Sequence, residues 1–126
     1  MTSQPIERYQ VSSTHTIQIS WRTHVKMDLP ARFVNHTCDH ANVGITPNQK
    51  GAYDFYALRL VNSGDEILWD YETSEYEFST PFVCSCGSPE CRKTLRGFRA
   101  HGKIVEKSYG KQWIAPYLYT SKKPED

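Results

Sequence analysis

The chain has 126 residues, of which 23% are charged, 38% belong to the hydrophobic set and 13% are aromatic. This length and balance fit a single folded domain with a modest core, and they exclude a disordered, collagen-like or coiled-coil protein. The polar start has no apolar segment typical of a secretion signal, and no stretch approaches the roughly 18 apolar residues of a membrane span. We therefore expect an intracellular protein, nuclear or cytoplasmic, that is not secreted and has no membrane partner.

Charge is unevenly distributed along the chain, although the formal net charge is only +1. Residues 1–91 contain 6 Lys or Arg and 11 Asp or Glu, whereas residues 92–126 contain 9 and 3. A basic C-terminal end suits either a nucleic-acid-binding tail or a solvated surface. Because no aromatic residues alternate with the basic ones, we favour the solvated surface and do not expect direct nucleic-acid binding.

Short alternating patterns dominate the chain and predict a mostly β fold with little helix. Turn residues separate several of these patterns. In chain order, the sequence first predicts a loose or edge segment at 1–12, strands at 15–20 and 23–29 with a turn at 20–23, and a break at Pro30. A non-periodic functional turn at 31–45 follows, then a turn at 48–51 and strands at 53–61 and 67–71 around a turn at 62–66. An exposed acidic segment is predicted at 72–78 and a short helix at 92–98.

Four cysteines indicate a metal site: Cys38, Cys84, Cys86 and Cys91. Two disulfides are disfavoured without a secretion signal, and a Cys-x-Cys pair bridges poorly with itself. Four thiolates around one tetrahedral Zn²⁺ form a closed structural site, for which the Gly and Pro of CSCGSPEC supply the turn. Four unrelated buried thiols, or a site that includes the neighbouring His36 or His40, are the alternatives.

The stretches RFVNHTC at 32–38, GDEILWDY at 64–71 and CSCGSPEC at 84–91 together resemble the motifs of SET-domain protein lysine methyltransferases. RFVNHTC at 32–38 resembles the family's Arg-Phe-x-Asn-His-Ser-Cys motif, and GDEILWDY at 64–71 resembles its Gly-Glu-Glu-Leu-x-Phe-Asp-Tyr motif. CSCGSPEC is similar to the post-SET zinc module, whose fourth ligand corresponds to Cys38. The resemblance implies a SET-type β fold of short sheets with a pseudoknot, divided into a SET-like core at 1–80, a post-SET zinc module at 81–100 and a tail at 101–126 that packs on the core.

The resemblance also implies a pocket for S-adenosylmethionine beside the Asn-His segment. In the family, a pseudoknot brings this segment next to the tyrosine that ends the second motif. Asn35 offers both a donor and an acceptor to such a cofactor, and His36 would act mainly through its backbone. The residues expected to line the pocket are Arg32, Phe33, Asn35, His36 and Leu95, with plain core packing as an equal alternative for Leu95.

Methyl transfer is assigned by the resemblance to Tyr71. Its hydroxyl would orient a neutral lysine amine, and oxygen dipoles there would steady the polarised methyl group. Aromatic walls favour a methylammonium group, so the substrate channel is expected at Tyr56, Phe55 and Trp69. For Phe55 and Tyr56, ordinary core packing is an equal alternative.

A basic protein, histone or otherwise, is the substrate that the resemblance implies. Three acidic residues soon after the catalytic tyrosine could attract a Lys/Arg-rich peptide: Glu72, Glu75 and Glu77. A solvated acidic face is the simpler interpretation of the same residues.

Three features depart from the family pattern. The Gly-x-Gly strand that closes over the cofactor has no counterpart, since the first glycine is Gly44. Truncation, natural loss or supply by a partner chain would each explain this. Trp69 stands where the family usually has Phe or Tyr and should narrow the channel, and DHAN at 39–42 replaces Asp-Pro-Asn.

Two function hypotheses follow. The first is a small SET-type methyltransferase that moves a methyl group from S-adenosylmethionine to a lysine of a basic protein. The alternative is a zinc-stabilised SET-like scaffold without this activity, serving as a binding or regulatory module or as a catalyst re-used on a small molecule. Asn35, His36 and Tyr71 favour the first hypothesis, and the Gly-x-Gly departure keeps the second open.

Overall fold

A small antiparallel sheet forms from the N-terminal strands. The computed structural model describes residues 5–6, 16–27, 34–78, 80 and 82–121. Strands β1 (Pro5–Ile6), β2 (Thr16–Gln18) and β3 (His24–Lys26) lie in the order β1–β3–β2. Ile17 pairs with Val25, and both side chains are fully buried. The predicted strand pair is thus confirmed where it is described, and the part of segment 1–12 that is described, β1, pairs antiparallel with β3.

The central strands bring distant parts of the chain together. They are β4 (Asn35–His36), β5 (Val43–Pro47), β6 (Tyr53–Ala57) and β7 (Leu68–Trp69). Strands β5 and β6 form an antiparallel hairpin, and the Asn48 side chain accepts hydrogen bonds from two backbone N–H groups in its turn at 2.9 and 3.0 Å. Strand β4 pairs in parallel with β7. This parallel pair is the contact on which the predicted pseudoknot depends.

The C-terminal part contains β8 (Phe82–Val83), β9 (Thr94–Leu95) and α1 (Phe98–Tyr109). The short helix predicted at 92–98 is wrong. Thr94 pairs with Val83 across an antiparallel ladder, and Gly97 has a φ of 103°, so the helix begins only after it. None of the helices in the part of the chain described above is long and apolar enough to cross a membrane.

Helix α1 lies on the core through its buried Val105, and its basic residues Arg99, Lys103 and Lys107 are exposed. Exposed basic side chains fit both interpretations of the charge distribution, so the solvated surface stays a prediction. Two 3₁₀ turns follow at Lys111–Trp113 and Pro116–Tyr119. The segment between them is buried, and the Ala115 N–H donates to the Thr73 carbonyl at 2.8 Å.

The acidic segment at 72–78 is largely buried, which corrects the prediction of an exposed face. Glu72 and Glu75 are 0% and 5% exposed. Glu75 accepts from the Gln18 N–H at 2.8 Å and lies 3.2 Å from His24 Nε2, and Glu72 has donors of its own described below. Buried carboxylates are tolerated only when they are paired and hydrogen-bonded in this way. Neither residue is therefore available to attract a peptide.

Candidate active site and metal centre

The parallel β4–β7 pair places the Asn-His segment beside Tyr71. Asn35 pairs with Leu68, and His36 pairs with Trp69. The Tyr71 N–H donates to His36 Nδ1 at 3.0 Å, and the two rings lie 5.1 Å apart. Thirty-five residues of sequence separate these two side chains. The neighbourhood that the resemblance implied is therefore present in the structure.

The Tyr71 side chain is 8% exposed, and its hydroxyl donates to the Val34 carbonyl at 2.9 Å. Burial, with a smaller contribution from the charge of Glu75, raises the pKa of Tyr71 to about 12. The hydroxyl therefore stays protonated at neutral pH. Because its proton is directed to Val34, its oxygen keeps lone pairs that can accept a hydrogen bond.

His36 is held as a neutral ring. Burial, together with the charge of Arg92, lowers the pKa of His36 to about 3. Its Nδ1 accepts the Tyr71 N–H, so the ring proton belongs on Nε2, which lies 3.4 Å from Cys38 Sγ. The His36 side chain thus links the catalytic candidate to the cysteine cluster, a role that the sequence did not indicate.

A cavity of about 450 Å³ opens beside these residues. This volume lies within the range of roughly 300–1,000 Å³ typical of small-molecule sites. Asn35 is exposed at its edge and donates to the Glu66 carboxylate at 2.9 Å. The wall comprises Asn35, His36, Thr37, His40, Glu66, Leu68, Tyr71, Phe82, Val83, Cys84, Ser85 and Cys86.

Of the remaining expected pocket residues, Leu95 is the one that falls within the residues described by the structure. Leu95 is fully buried opposite Phe82 in the β8–β9 ladder and is not part of the cavity wall, so the core-packing alternative fits its position. Arg32 and Phe33 lie outside the described residues, so their contribution stays a prediction.

A row of aromatic rings runs through Tyr71. The Trp69 ring lies 5.4 Å from Phe55 and 4.9 Å from Tyr71, and Tyr71 lies 5.7 Å from Phe82 on its other side. Tyr71, which is part of the cavity wall, therefore connects the cavity to the channel candidates Trp69 and Phe55. Trp69 is only 3% exposed, whereas Tyr56, the third channel candidate, is 54% exposed.

Asn42, the last residue of the divergent DHAN segment, is joined by hydrogen bonds to β7 and to the residue two positions before it. Its side-chain oxygen accepts from the Leu68 N–H at 2.8 Å, and its amide donates to the Glu66 carbonyl at 2.8 Å. Its backbone N–H donates to the Leu68 carbonyl at 3.0 Å. The role of Asn42 was not predicted from the sequence, although an Asn after the motif cysteine was the available signal.

The four cysteines meet at one point, with all four sulfur atoms within 4.8 Å of one another. The Sγ atoms of Cys38 and Cys84 lie 3.8 Å apart, and none of the four cysteines is in a disulfide. Zn–S bonds of about 2.3 Å in a tetrahedron require sulfur separations of about 3.8 Å. The donor set therefore fits Zn²⁺. Gly87 makes the turn in this cluster with a φ of 79°.

A buried ionic cluster contacts the cysteine cluster through Arg92. Arg92 donates to Asp70 at 2.7 and 3.0 Å and to Glu72 at 2.8 Å, and the Tyr109 hydroxyl donates to Asp70 at 3.0 Å. Burial opposes the charge of Arg92, but the hydrogen bonds and charge of Asp70 raise its pKa above the ordinary value. The sequence gives no local sign of this cluster, because its members come from three separate segments.

Comparison with known proteins identifies the class to which this fold and site belong. The SET domain family model matches residues 4–72, which is more than half of the chain. The chain therefore belongs to the SET-domain family.

Relatives in this family are named as histone-lysine N-methyltransferases. SUVR4 of Arabidopsis thaliana is 36% identical over 88 residues, covering 61% of this chain and 18% of that protein. The set1 protein of Dictyostelium discoideum is 44% identical over 68 residues, covering 52% of this chain and 4% of that protein. A third relative of 34% identity over 87 residues, "Probable inactive histone-lysine N-methyltransferase SUVR2" of Arabidopsis thaliana, covers 61% of this chain and 12% of that protein. The chain thus spans less than a fifth of the length of each of these relatives.

Proposed function

We propose that this chain is an S-adenosylmethionine-dependent protein-lysine methyltransferase that contains one structural zinc ion. The observation that carries the proposal is the parallel β4–β7 pair, which sets Asn35, His36 and Tyr71 around one cavity of about 450 Å³. Similarity to proteins named histone-lysine N-methyltransferases supports this activity. A basic protein, histone or otherwise, is the proposed substrate, in the nucleus or the cytoplasm.

The cavity wall offers the groups that a cofactor of this kind needs. S-adenosylmethionine, when bound, supplies an electrophilic methyl group on a sulfonium. Asn35 would exchange its contact with Glu66 for the polar end of the cofactor, the His36 backbone would accept and donate at the adenine edge, and Phe82 would provide an apolar surface. Arg32 and Phe33 complete the proposed set.

Tyr71 is the proposed catalytic residue. Its neutral hydroxyl can accept a hydrogen bond from the lysine amine, while its own proton is donated to the Val34 carbonyl. The amine must be neutral to attack, and loss of its proton to solvent on entry needs no acidic side chain. The Phe55 and Trp69 rings, which continue the aromatic row behind Tyr71, would form the wall of the lysine channel.

The metal would be held by all four cysteine sulfur atoms. Such a closed shell leaves no position for water or substrate, which is typical of structural zinc. The ion would therefore stabilise the segment around β8 and β9 and take no part in methyl transfer.

One observation favours the alternative function, a SET-like scaffold without methylation. Trp69 packs directly on both Phe55 and Tyr71 and is only 3% exposed, so the rings leave little room for a lysine chain. A methyltransferase must open this row when the substrate binds, whereas a scaffold has no such need.

Calorimetric titration with S-adenosylmethionine, followed by mass spectrometry of a Lys/Arg-rich peptide incubated with protein and cofactor, tests the two functions. We expect binding that Asn35→Ala weakens by about 5- to 150-fold, because a polar contact of about 1–3 kcal/mol is lost. Asn62→Ala, in the exposed turn before β7, is the matched control and should bind like wild type. No binding by wild type at millimolar cofactor would favour the scaffold.

A further inference from the structure

Arg92 is a buried cation that contacts the cysteine cluster and the Tyr71 segment at the same time. Its side chain is only 4% exposed. Toward the cluster, its backbone N–H donates to Cys38 Sγ at 3.3 Å and its Nη2 donates to the Cys38 carbonyl at 3.0 Å. Toward the Tyr71 segment, its guanidinium donates to both carboxylate oxygens of Asp70 and to Glu72. A single side chain therefore bridges the two centres.

The two acids that Arg92 holds flank Tyr71 in the sequence. Asp70 Oδ1 also accepts the Glu72 N–H at 3.0 Å and so caps the 3₁₀ turn at Tyr71–Thr73. The Tyr109 hydroxyl holds the other Asp70 oxygen at 3.0 Å. The backbone of Tyr71 thus runs between two carboxylates that both accept hydrogen bonds from Arg92.

Stability alone explains this arrangement poorly. Burying a guanidinium with carboxylates costs desolvation energy, and apolar residues of similar volume are often at least as stable. Arg92 Nε, moreover, has no hydrogen-bond partner among the residues that the structure describes. What the planar guanidinium does supply is a fixed geometry for two carboxylates at once.

We propose that Arg92 is a positioning residue, through which the ordered cysteine cluster fixes the conformation of the Tyr71 segment. This proposal rests on the proposed methyltransferase function for its effect on catalysis. It assigns no chemical step to Arg92, which does not line the cavity. Its effect passes through Asp70 and Glu72 to the placement of the Tyr71 hydroxyl.

Amide hydrogen exchange over residues 70–76, combined with steady-state kinetics on the zinc-loaded protein, tests this role. Arg92→Lys keeps the charge but loses the bidentate contact. With zinc content unchanged, we expect exchange in this segment to become about 10-fold faster. We also expect kcat to fall about 10-fold or more while the KM for peptide changes little, because only placement is lost. Arg99→Lys, at an exposed ion pair with Glu77, is the matched control and should behave like wild type.

Wild-type exchange and wild-type kcat in Arg92→Lys would overturn the proposal. Faster exchange spread equally over β2 and β3 would indicate only a loss of global stability and would overturn it too. If Arg92→Lys does not fold, Asp70→Asn decides the question, because it weakens the bridge and leaves the Arg92 contacts to Cys38 in place. If wild type transfers no methyl group, the proposed function fails, and the exchange measurement still decides whether Arg92 orders the segment.

Discussion

Replacing Glu72 with Gln should strongly destabilise the protein, although the two side chains have nearly the same shape. Glu72 Oε1 accepts from Arg92 at 2.8 Å, and Oε2 accepts from the N–H groups of Arg96 and Gly97 at 2.9 and 2.7 Å. His101 Nδ1 lies 2.9 Å from both oxygens. A carboxamide has only one acceptor oxygen, so either orientation turns its NH₂ group toward an N–H donor.

The expected magnitude follows from these contacts. Removing one partner of a buried ion pair costs about 3–5 kcal/mol. Arg92 keeps both of its bonds to Asp70 in the variant, which places the loss near the lower end of that range. The lost charge also faces the N-terminus of α1, where a negative group contributes about 0.3–1 kcal/mol. We therefore expect the free energy of unfolding to fall by about 3 kcal/mol, a large part of a typical total of about 5–15 kcal/mol.

Urea denaturation of the zinc-loaded protein, followed by circular dichroism, measures this loss. Glu77→Gln is the matched control, because Glu77 and its partner Arg99 have side chains 49% and 64% exposed. Such a surface pair should contribute less than about 1 kcal/mol. Equal unfolding free energies for the two variants would refute the assignment of Glu72 as the buried acceptor that joins Arg92 to α1.

Three further predictions concern the metal, the hydroxyl and one backbone position. Cys91→Ser should lower the zinc content in elemental analysis and loosen the β8–β9 segment, because structural zinc contributes folding free energy; zinc-free wild type with two disulfides would contradict this. Tyr71→Phe should keep the fold and the zinc but lower the methylation rate on the order of 10²-fold, as for loss of one preorganised polar group, and full activity would mean that the active site lies elsewhere. Gly97→Ala should lower the melting temperature, because Gly97 has a φ of 103° and a Cβ there would clash with the Tyr76 carbonyl oxygen. Gly51→Ala is the control, because Gly51 has a φ of 80° and a Cβ there would meet no atom of the described residues within 4 Å apart from its chain neighbours. An equal loss in both variants would show that backbone conformation alone is responsible.

Local patterns were enough to predict several elements of the fold. The alternation at 15–20 and 23–29 predicted β2 and β3 because side chains on opposite faces of a strand meet different environments. The cysteine spacing predicted a single cluster because four thiolates share one ligand chemistry. The helix at 98–109 was not predicted, since its start depends on the Gly97 conformation and on packing of Val105 against the core.

The candidate site, too, was predicted only in part from the sequence. The motifs identified Asn35, His36 and Tyr71, but the contact of the His36 ring with both the Tyr71 N–H and Cys38 exists only after β4 pairs with β7. The ring row through Tyr71 likewise depends on this pairing. Roles in cofactor and substrate binding stay predictions that the binding and kinetic experiments test.

The sequence by itself was enough to predict the family, the fold class and the clustering of the four cysteines, because each follows from residue types at particular positions along the chain. Only the tertiary structure decided whether the acidic segment after Tyr71 is buried or exposed. A run of carboxylates is typical of a solvated surface, and burial becomes favourable only when distant donors satisfy every oxygen. For Glu72 these donors are Arg92 and the backbone before α1, which lie at least 20 residues further along the chain. Folding must bring them to the carboxylate, so no local pattern could have revealed them.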